Sequence, residues 1–285
     1  MINYLPIQLD SKALSQYTCL LSKCFQKTAK FRPSYLDWLY RKNPDGEALG
    51  FDAWDGDRLV AHYVCVPTLA SVGGKVVKVL LSLNTATHPE YQGRRLFTTL
   101  AEMTYAEATA KDFDCVYGVA NANSTLGFVH KLGFQLVQPL DARIGIGRLS
   151  NQVDASASKV QFERVWSAES LNWRCANPFN PVFHRSCGNW VQFHAAALGK
   201  LLPVYDELSS ANVPEAWNGD AHYLLPWRLY MGIVPEGAIR FQYYVSIPQR
   251  LRPSPLNLIY RSLSHRLQVL EIGHIRFSFL DFDAY

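Results

Sequence analysis

No apolar run in this chain reaches about 18 residues, so the sequence predicts no membrane-spanning helix. The N-terminal stretch MINYLPIQLDSKALSQYTCLL lacks a charged n-region ahead of an apolar core and does not read as a signal peptide. The six cysteines (Cys19, Cys24, Cys65, Cys115, Cys175 and Cys187) show no C-x-x-C spacing. That argues against a zinc site or a disulfide framework and for reduced thiols in a cytoplasmic protein. No His/Cys cluster has metal-ligand spacing either, so no metal is expected. Charge of neither sign dominates. The formal net charge of +4 is spread along the chain, which suits small anionic ligands and makes no case for nucleic acid. What remains is an ordinary globular balance, 48% hydrophobic and 18% charged. At 285 residues the chain can form one large or two ordinary domains.

The apolar spacing predicts a helix over Ala13 to Phe25 and a second over Tyr35 to Arg41, opened by Pro33-Ser34. From Leu49 the period changes to two. Gly50 to Trp54 and Leu59 to Pro67 flank Asp55-Gly56-Asp57, a hairpin signature, and Gly73-Gly74 leads into a third strand, Lys75 to Thr85. A helix from Leu96, a strand over Cys115 to Ala120, a helix capped by Asn123-Ser124 and a strand from Phe134 follow. Antiparallel strands followed by helix–strand–helix–strand make an α+β pattern with a partly parallel junction, where ligands favour the splayed strand ends. The polar stretch Asn151 to Lys159 reads as a linker between residues 1–150 and 151–285. Beyond it Ser170-Leu171-Asn172-Trp173 and Asn177-Pro178 echo Tyr35-Leu36-Asp37-Trp38 and Asn43-Pro44, which predicts a duplicated fold. At the end, Arg276 to Leu280 reads as a strand that would place Asp281 and Asp283 on one face.

Between the third strand and the next helix stands HPEYQGRRLF, His88 to Phe97. A loop with a glycine ahead of a helix N-terminus gathers unpaired N–H groups, which bind phosphate oxygens together with the helix dipole. Gly93 permits close approach, and Arg94 and Arg95 add charge-assisted donors. The same decapeptide is also readable as an ordinary strand–helix turn with two solvated arginines.

This decapeptide, together with Asn123 to Phe134 (NSTLGFVHKLGF), resembles the GNAT superfamily of acyl-coenzyme A-dependent N-acyltransferases. Gln92 matches the first position of that family's Gln/Arg-x-x-Gly-x-Gly/Ala signature, and Lys131-Leu132-Gly133-Phe134 matches its later ending. The resemblance covers about half the chain. It implies a GNAT-like mixed sheet flanked by helices. Residues 1–150 would form the acyl-CoA-binding domain, and residues 151–285 a degenerate second copy, as in tandem-domain relatives. It further implies that an acetyl or other acyl group moves from acyl-CoA directly to the primary amine of a small acceptor. The stretch Tyr35 to Pro44 with Val60 to Tyr63 is similar to a subgroup of surface-sugar biosynthesis proteins, which implies a nucleotide-linked amino sugar as acceptor. Thr85, Ala86, Thr87, Gln92, Gly93, Arg94, Arg95, Leu96, Phe97 and Asn123 would then bind the coenzyme. Asn84 would orient the substrate, and His62 or His88 would be the base, histidine being the usual side chain for that role. Either histidine is more simply readable as a hydrogen-bonded strand or loop residue.

The sequence also departs from the family. Arg95 stands where the family has a glycine, Phe97 where it has Gly or Ala, and Phe128 and Val129 near its usual tyrosine proton donor. These departures support an alternative: a non-catalytic GNAT-like protein that binds coenzyme A or a surface-polymer precursor.

Overall fold

The computed structural model describes residues 1–25, 29–151, 160–197, 199–214, 225–252 and 254–283. The chain opens with β1 (Ile2–Pro6) and α1 (Ser11–Cys24). Asp10 caps α1 by accepting the N–H groups of Lys12 and Ala13 at 2.8 and 2.9 Å. Pro33 starts α2 (Pro33–Tyr40), a position where the missing proline N–H is no loss. Then come β2 (Leu49–Asp55), β3 (Arg58–Val72) and β4 (Lys75–Thr87). Gly73 and Gly74, at φ +57° and +79°, form the two-residue turn between Val72 and Lys75, which needs left-handed backbone at both positions.

Next follow α3 (Leu96–Ala110), β5 (Cys115–Ala120), α4 (Ala122–Leu132), β6 (Gln135–Pro139) and β7 (Asp141–Ile146). Asn121 caps α4 where Asn123 was expected to. Its side chain accepts the N–H groups of Asn123 and Ser124, both at 3.0 Å, and Ser124 returns a bond to its backbone N–H. The remainder carries β8 (Ser150–Asn151), β9 (Phe162–Arg164), α5 (Ala168–Cys175), β10 (Phe183–Cys187), β11 (Trp190–Ala197), β12 (Gly199–Ser209) and β13 (Trp227–Ile233). It closes with β14 (Ile239–Arg240), β15 (Tyr244–Ser246), β16 (Asn257–Ser262) and β17 (Phe277–Ser278). Of the expected linker, Asn151 pairs with Ile239, and residues 152–159 lie outside the described residues.

Two mixed sheets result. The first runs β1–β2–β3–β4–β5–β16–β6, and the second β10–β11–β12–β13–β7–β15. From β2 to β6 the pairings are antiparallel, antiparallel, parallel, antiparallel, antiparallel. From β10 to β15 the same succession recurs. The fold is α+β with two GNAT-like halves, and the halves exchange a strand each. β16, from late in the chain, lies between β5 and β6, while β7, from the early part, lies between β13 and β15.

The first sheet has two covered faces. Tyr63 and Cys65 of β3 pack with Leu96, Leu100 and Tyr105 of α3. Val64 and Val66 turn the other way, against Tyr17 of α1 and Leu36 of α2. This alternation is the period-two pleat of the strand. A third cluster joins the sheets, with Val79, Leu81 and Tyr117 of the first against Phe193 and Val204 of the second.

Candidate active site

β4 and β5 run parallel from Val79/Cys115 to Ser82/Gly118, and no pairing continues beyond. On the other side of β4, Leu83 pairs with Val64 and Ala86 with His62, so two β4 residues, Asn84 and Thr85, face the single residue Tyr63. This is a β-bulge. Asn84 takes φ +47°, a left-handed conformation unusual for a side-chain-bearing residue. Asn84 and Thr85 therefore have no register partner on either neighbouring strand, at the place where β4 and β5 part. Asn84 and Thr85 are half-buried. Ala86 is buried against the α1–α2 side, and the Thr87 carbonyl accepts from Cys24 Sγ and Gln92 Nε2, both at 3.5 Å.

The loop after β4 leads directly to α3. Gln92, Gly93, Arg94 and Arg95 are exposed. Gly93 has φ +78°, and a Cβ placed there would meet no protein atom within 4 Å. Arg95 has φ +63° and occupies the cap position of α3, yet no side chain caps this end. The backbone thus adopts the turn that a glycine would favour, with arginine held in it at a cost of about 1–2 kcal/mol. The first N–H groups of α3, those of Leu96 and Phe97 among them, have no partner within the helix. They point the positive end of a 15-residue helix at the loop. Arg94 lies over the Tyr91 ring at 4.7 Å. Among the described residues the Arg95 guanidinium has no hydrogen-bond or ion-pair partner. Phe97 packs edge-on against Phe128 at 5.1 Å, and it fits because residue 127 is glycine, where a Cβ would stand 3.2 Å from its ring. Leu96 contributes its side chain to the core. Asn123 is exposed in the first turn of α4.

The two candidate histidines lie in different surroundings. His62 is fully buried, with its Nδ1 2.7 Å from Asp52 Oδ1 and its ring stacked on Tyr17 at 4.2 Å. The Tyr17 hydroxyl donates to Asp52 Oδ2 at 2.7 Å. On the far side His62 Nε2 lies 3.3 Å from the Tyr40 hydroxyl, and the Asn84 amide donates to the Tyr40 oxygen at 3.1 Å. One polar chain therefore joins Tyr17, Asp52, His62, Tyr40 and Asn84. Burial raises the pKa of Tyr40 above its ordinary value and, with the Asp52 charge as the next cause, raises that of Tyr17, so both phenols stay protonated. His88 sits apart, at the start of a short turn, where Arg58 Nη2 donates to its Nε2 at 2.8 Å and also binds Glu90 at 2.9 Å. With Nε2 accepting from an arginine, its lone pair is already engaged. The sequence singled out His62 and Asn84 as candidates but not Asp52, Tyr40 or Tyr17, which join them in the fold.

The C-terminal acidic pair is not on one strand face. Asp281 ends a short helical turn and accepts the Ser278 N–H at 2.6 Å. Asp283 turns toward Lys30, Tyr35 and Asn177. Only Phe277–Ser278 of the expected terminal strand is strand. Phe128, near the position of the family's tyrosine, is buried between Phe97 and Phe134. Among the described residues no three His, Cys, Asp or Glu side chains converge as a metal site, and no helix is long and apolar enough to cross a membrane.

A mixed sheet that splays at its one parallel junction, bulged on β4 and followed by an open helix N-terminus, is the architecture of the GNAT N-acyltransferase class. Residues 6–137 match the acetyltransferase (GNAT) domain family. Comparison with curated proteins gives no sequence match. Solved structures share the fold over 92% of this chain. One is a conserved protein of unknown function from Enterococcus faecalis V583 described as "Probable N-Acyltransferase" (8% identity, 73% of that chain, TM-score 0.60). Two others are GCN5-related N-acetyltransferases, from Anabaena variabilis ATCC 29413 (10%, 73%, 0.55) and from Kribbella flavida (12%, 71%, 0.60).

Proposed function

We propose that the protein is an N-acyltransferase that moves an acetyl or other acyl group from acyl-CoA directly to the primary amine of a small acceptor. The observation that carries this reading is the meeting, at one end of β4, of the β4–β5 wedge, the Asn84–Thr85 bulge and the open N-terminus of α3. The residues fit acyl-CoA. The wedge leaves strand edges for the pantetheine amides, the bulge leaves backbone N–H groups for a carbonyl oxygen that gains charge, and Gly93 leaves the loop bare for pyrophosphate. Thr85 to Thr87, Gln92 to Phe97 and Asn123 are the proposed coenzyme contacts, and Asn84 with His62 or His88 the proposed catalytic group.

In this reading residues 1–150 bind acyl-CoA in the cytoplasm, and residues 151–285 complete the acceptor cleft. A nucleotide-linked amino sugar of surface-polysaccharide biosynthesis is the acceptor class to test first. Phe128 and the buried packing around it favour a second reading, a coenzyme A binder without transfer activity, since no phenol stands there to protonate a leaving thiolate. Calorimetry with coenzyme A, followed by thiol release from acetyl-CoA with a panel of amino sugars and simple amines, separates the two. Binding with transfer supports the enzyme; binding without transfer to any amine supports the binder; absence of binding removes both.

A further inference from the structure

The chain of polar groups behind Asn84 lies on the α1–α2 face of the sheet, opposite α3 and its phosphate-binding end. Its ordering has a direction. Asn84 donates its amide N–H to the Tyr40 oxygen, which leaves the Tyr40 hydroxyl proton pointing to His62 Nε2. His62 in turn holds a proton on Nδ1, facing Asp52. Asp52 accepts from both His62 and Tyr17, as a carboxylate does. Tyr40 is fully buried and Asn84 half-buried, and two acceptors here are used by no other described group: the second lone pair of the Tyr40 oxygen and Asn84 Oδ1.

We propose that Tyr40, His62 and Asp52 form a proton relay that deprotonates the acceptor ammonium at the wedge, with Asn84 holding the amine. This rests on the acyl-transfer reading above. The ammonium gives one proton to the Tyr40 oxygen as Tyr40 passes its own hydroxyl proton to His62 Nε2. Tyr40 ends neutral, and His62 ends as an imidazolium. The freed amine nitrogen bonds to the thioester carbon, and the carbonyl π pair moves onto oxygen. As that pair returns, the carbon–sulfur bond breaks and the thiolate leaves. The amide sheds its second proton, one proton goes to the thiolate, and the one stored on His62 returns to solvent through Tyr40.

A buried imidazolium is expensive without an anion beside it, and Asp52 at 2.7 Å is that anion. Tyr40 is the residue that meets the substrate proton. His62, Asp52 and Tyr17 act through it, with Tyr17 fixing the Asp52 carboxylate and stacking on the imidazole. The titratable groups facing His62 are Asp52 from β2, Tyr17 from α1 and Tyr40 from α2; Asp283, from the C-terminal segment, acts on Tyr40.

The test uses the full chain, acetyl-CoA and two probe amines: ethanolamine, protonated at neutral pH, and hydroxylamine, already neutral there. For Tyr40→Phe, kcat/KM with ethanolamine should fall about a hundredfold, the ordinary worth of positioned proton transfer. With hydroxylamine it should change only slightly, and raising the pH toward the ethanolamine pKa should restore the variant. Asp52→Asn should show the same selectivity, and it decides the question if Tyr40→Phe fails to fold. Equal losses with both amines, or no loss with either, overturn the relay. A wild-type protein that binds acetyl-CoA but releases no thiol with either amine overturns the acyl-transfer reading and the relay with it, a result distinct from a loss of selectivity.

Discussion

Trp38 and Trp173 stack with ring centroids 4.6 Å apart and planes 16° from parallel, and each indole N–H donates to the other's backbone carbonyl, at 3.0 and 2.9 Å. They sit at matching places in α2 and α5. The bond from one is repeated by the other, as a two-fold relation between the halves requires. Trp38→Ala should cost about 3–5 kcal/mol, the range for truncating a buried large aromatic. The double variant with Trp173→Ala should cost less than the sum, by about 1 kcal/mol for the lost ring pair. Chemical denaturation of the three variants measures this; strict additivity would mean the rings do not couple.

Gly93→Ala should weaken coenzyme A binding at least about tenfold, or about 1.4 kcal/mol. The added methyl meets no protein atom, so an affinity loss would report on the ligand or on the turn. The turn term is visible separately as a fall in melting temperature, because φ +78° disfavours any side chain. Unchanged affinity by calorimetry would make the loop merely structural.

Arg95→Gly should raise stability and lower coenzyme affinity at once. Glycine removes the cost of φ +63°, about 1–2 kcal/mol, and also removes a guanidinium that has no partner among the described residues and lies beside the helix end. The affinity loss should shrink at high salt. Tighter binding by Arg95→Gly would instead show that the side chain blocks the cradle.

Burial pushes the Asp281 carboxyl up to about 7, with Arg164 opposing. The folded protein therefore holds this proton where the unfolded chain, near 3.8, has lost it. The protonated form favours folding fully below about pH 3.8, and that stability is lost as the pH rises through about 7. Asp281→Asn copies the neutral acid and keeps an acceptor for the Ser278 N–H. It should melt higher than the wild type above about pH 7, and the gain should shrink on acidification. A difference independent of pH would count against this assignment.

Cys19 is exposed, whereas burial pushes the Cys65 and Cys175 thiols up to about 12. A thiol reagent should modify Cys19 first in the native protein and reach Cys65 only on unfolding. Early modification of Cys65, read by mass spectrometry, would contradict the packing of β3.

Local signals carried far in this chain. The start of α3 and the span of β5 were legible to the residue, as was the Gly93 turn, because periodicity and loop chemistry are written locally. The relay was not. Counting back from the Asp55–Arg58 turn pairs Asp52 with Ala61; a one-residue irregularity at Ala53/Trp54 moves it opposite His62. Tyr40 reaches His62 only through the packing of α2 on the sheet. The place of β16 between β5 and β6 was likewise hidden, since no local feature of Asn257 to Ser262 names partners more than a hundred residues earlier.

The exchanged strands set an order of assembly. β5 and β6 leave the ribosome with a slot between them, and the strand that fills it, β16, is made more than a hundred residues later. β7 emerges before β13 and β15 exist to flank it. Until then each half is an open template, and its bare edges can accept the same strand from a neighbouring chain. Refolding at high concentration should therefore yield strand-swapped dimers as the side product, and coenzyme binding should be the last property the nascent protein acquires.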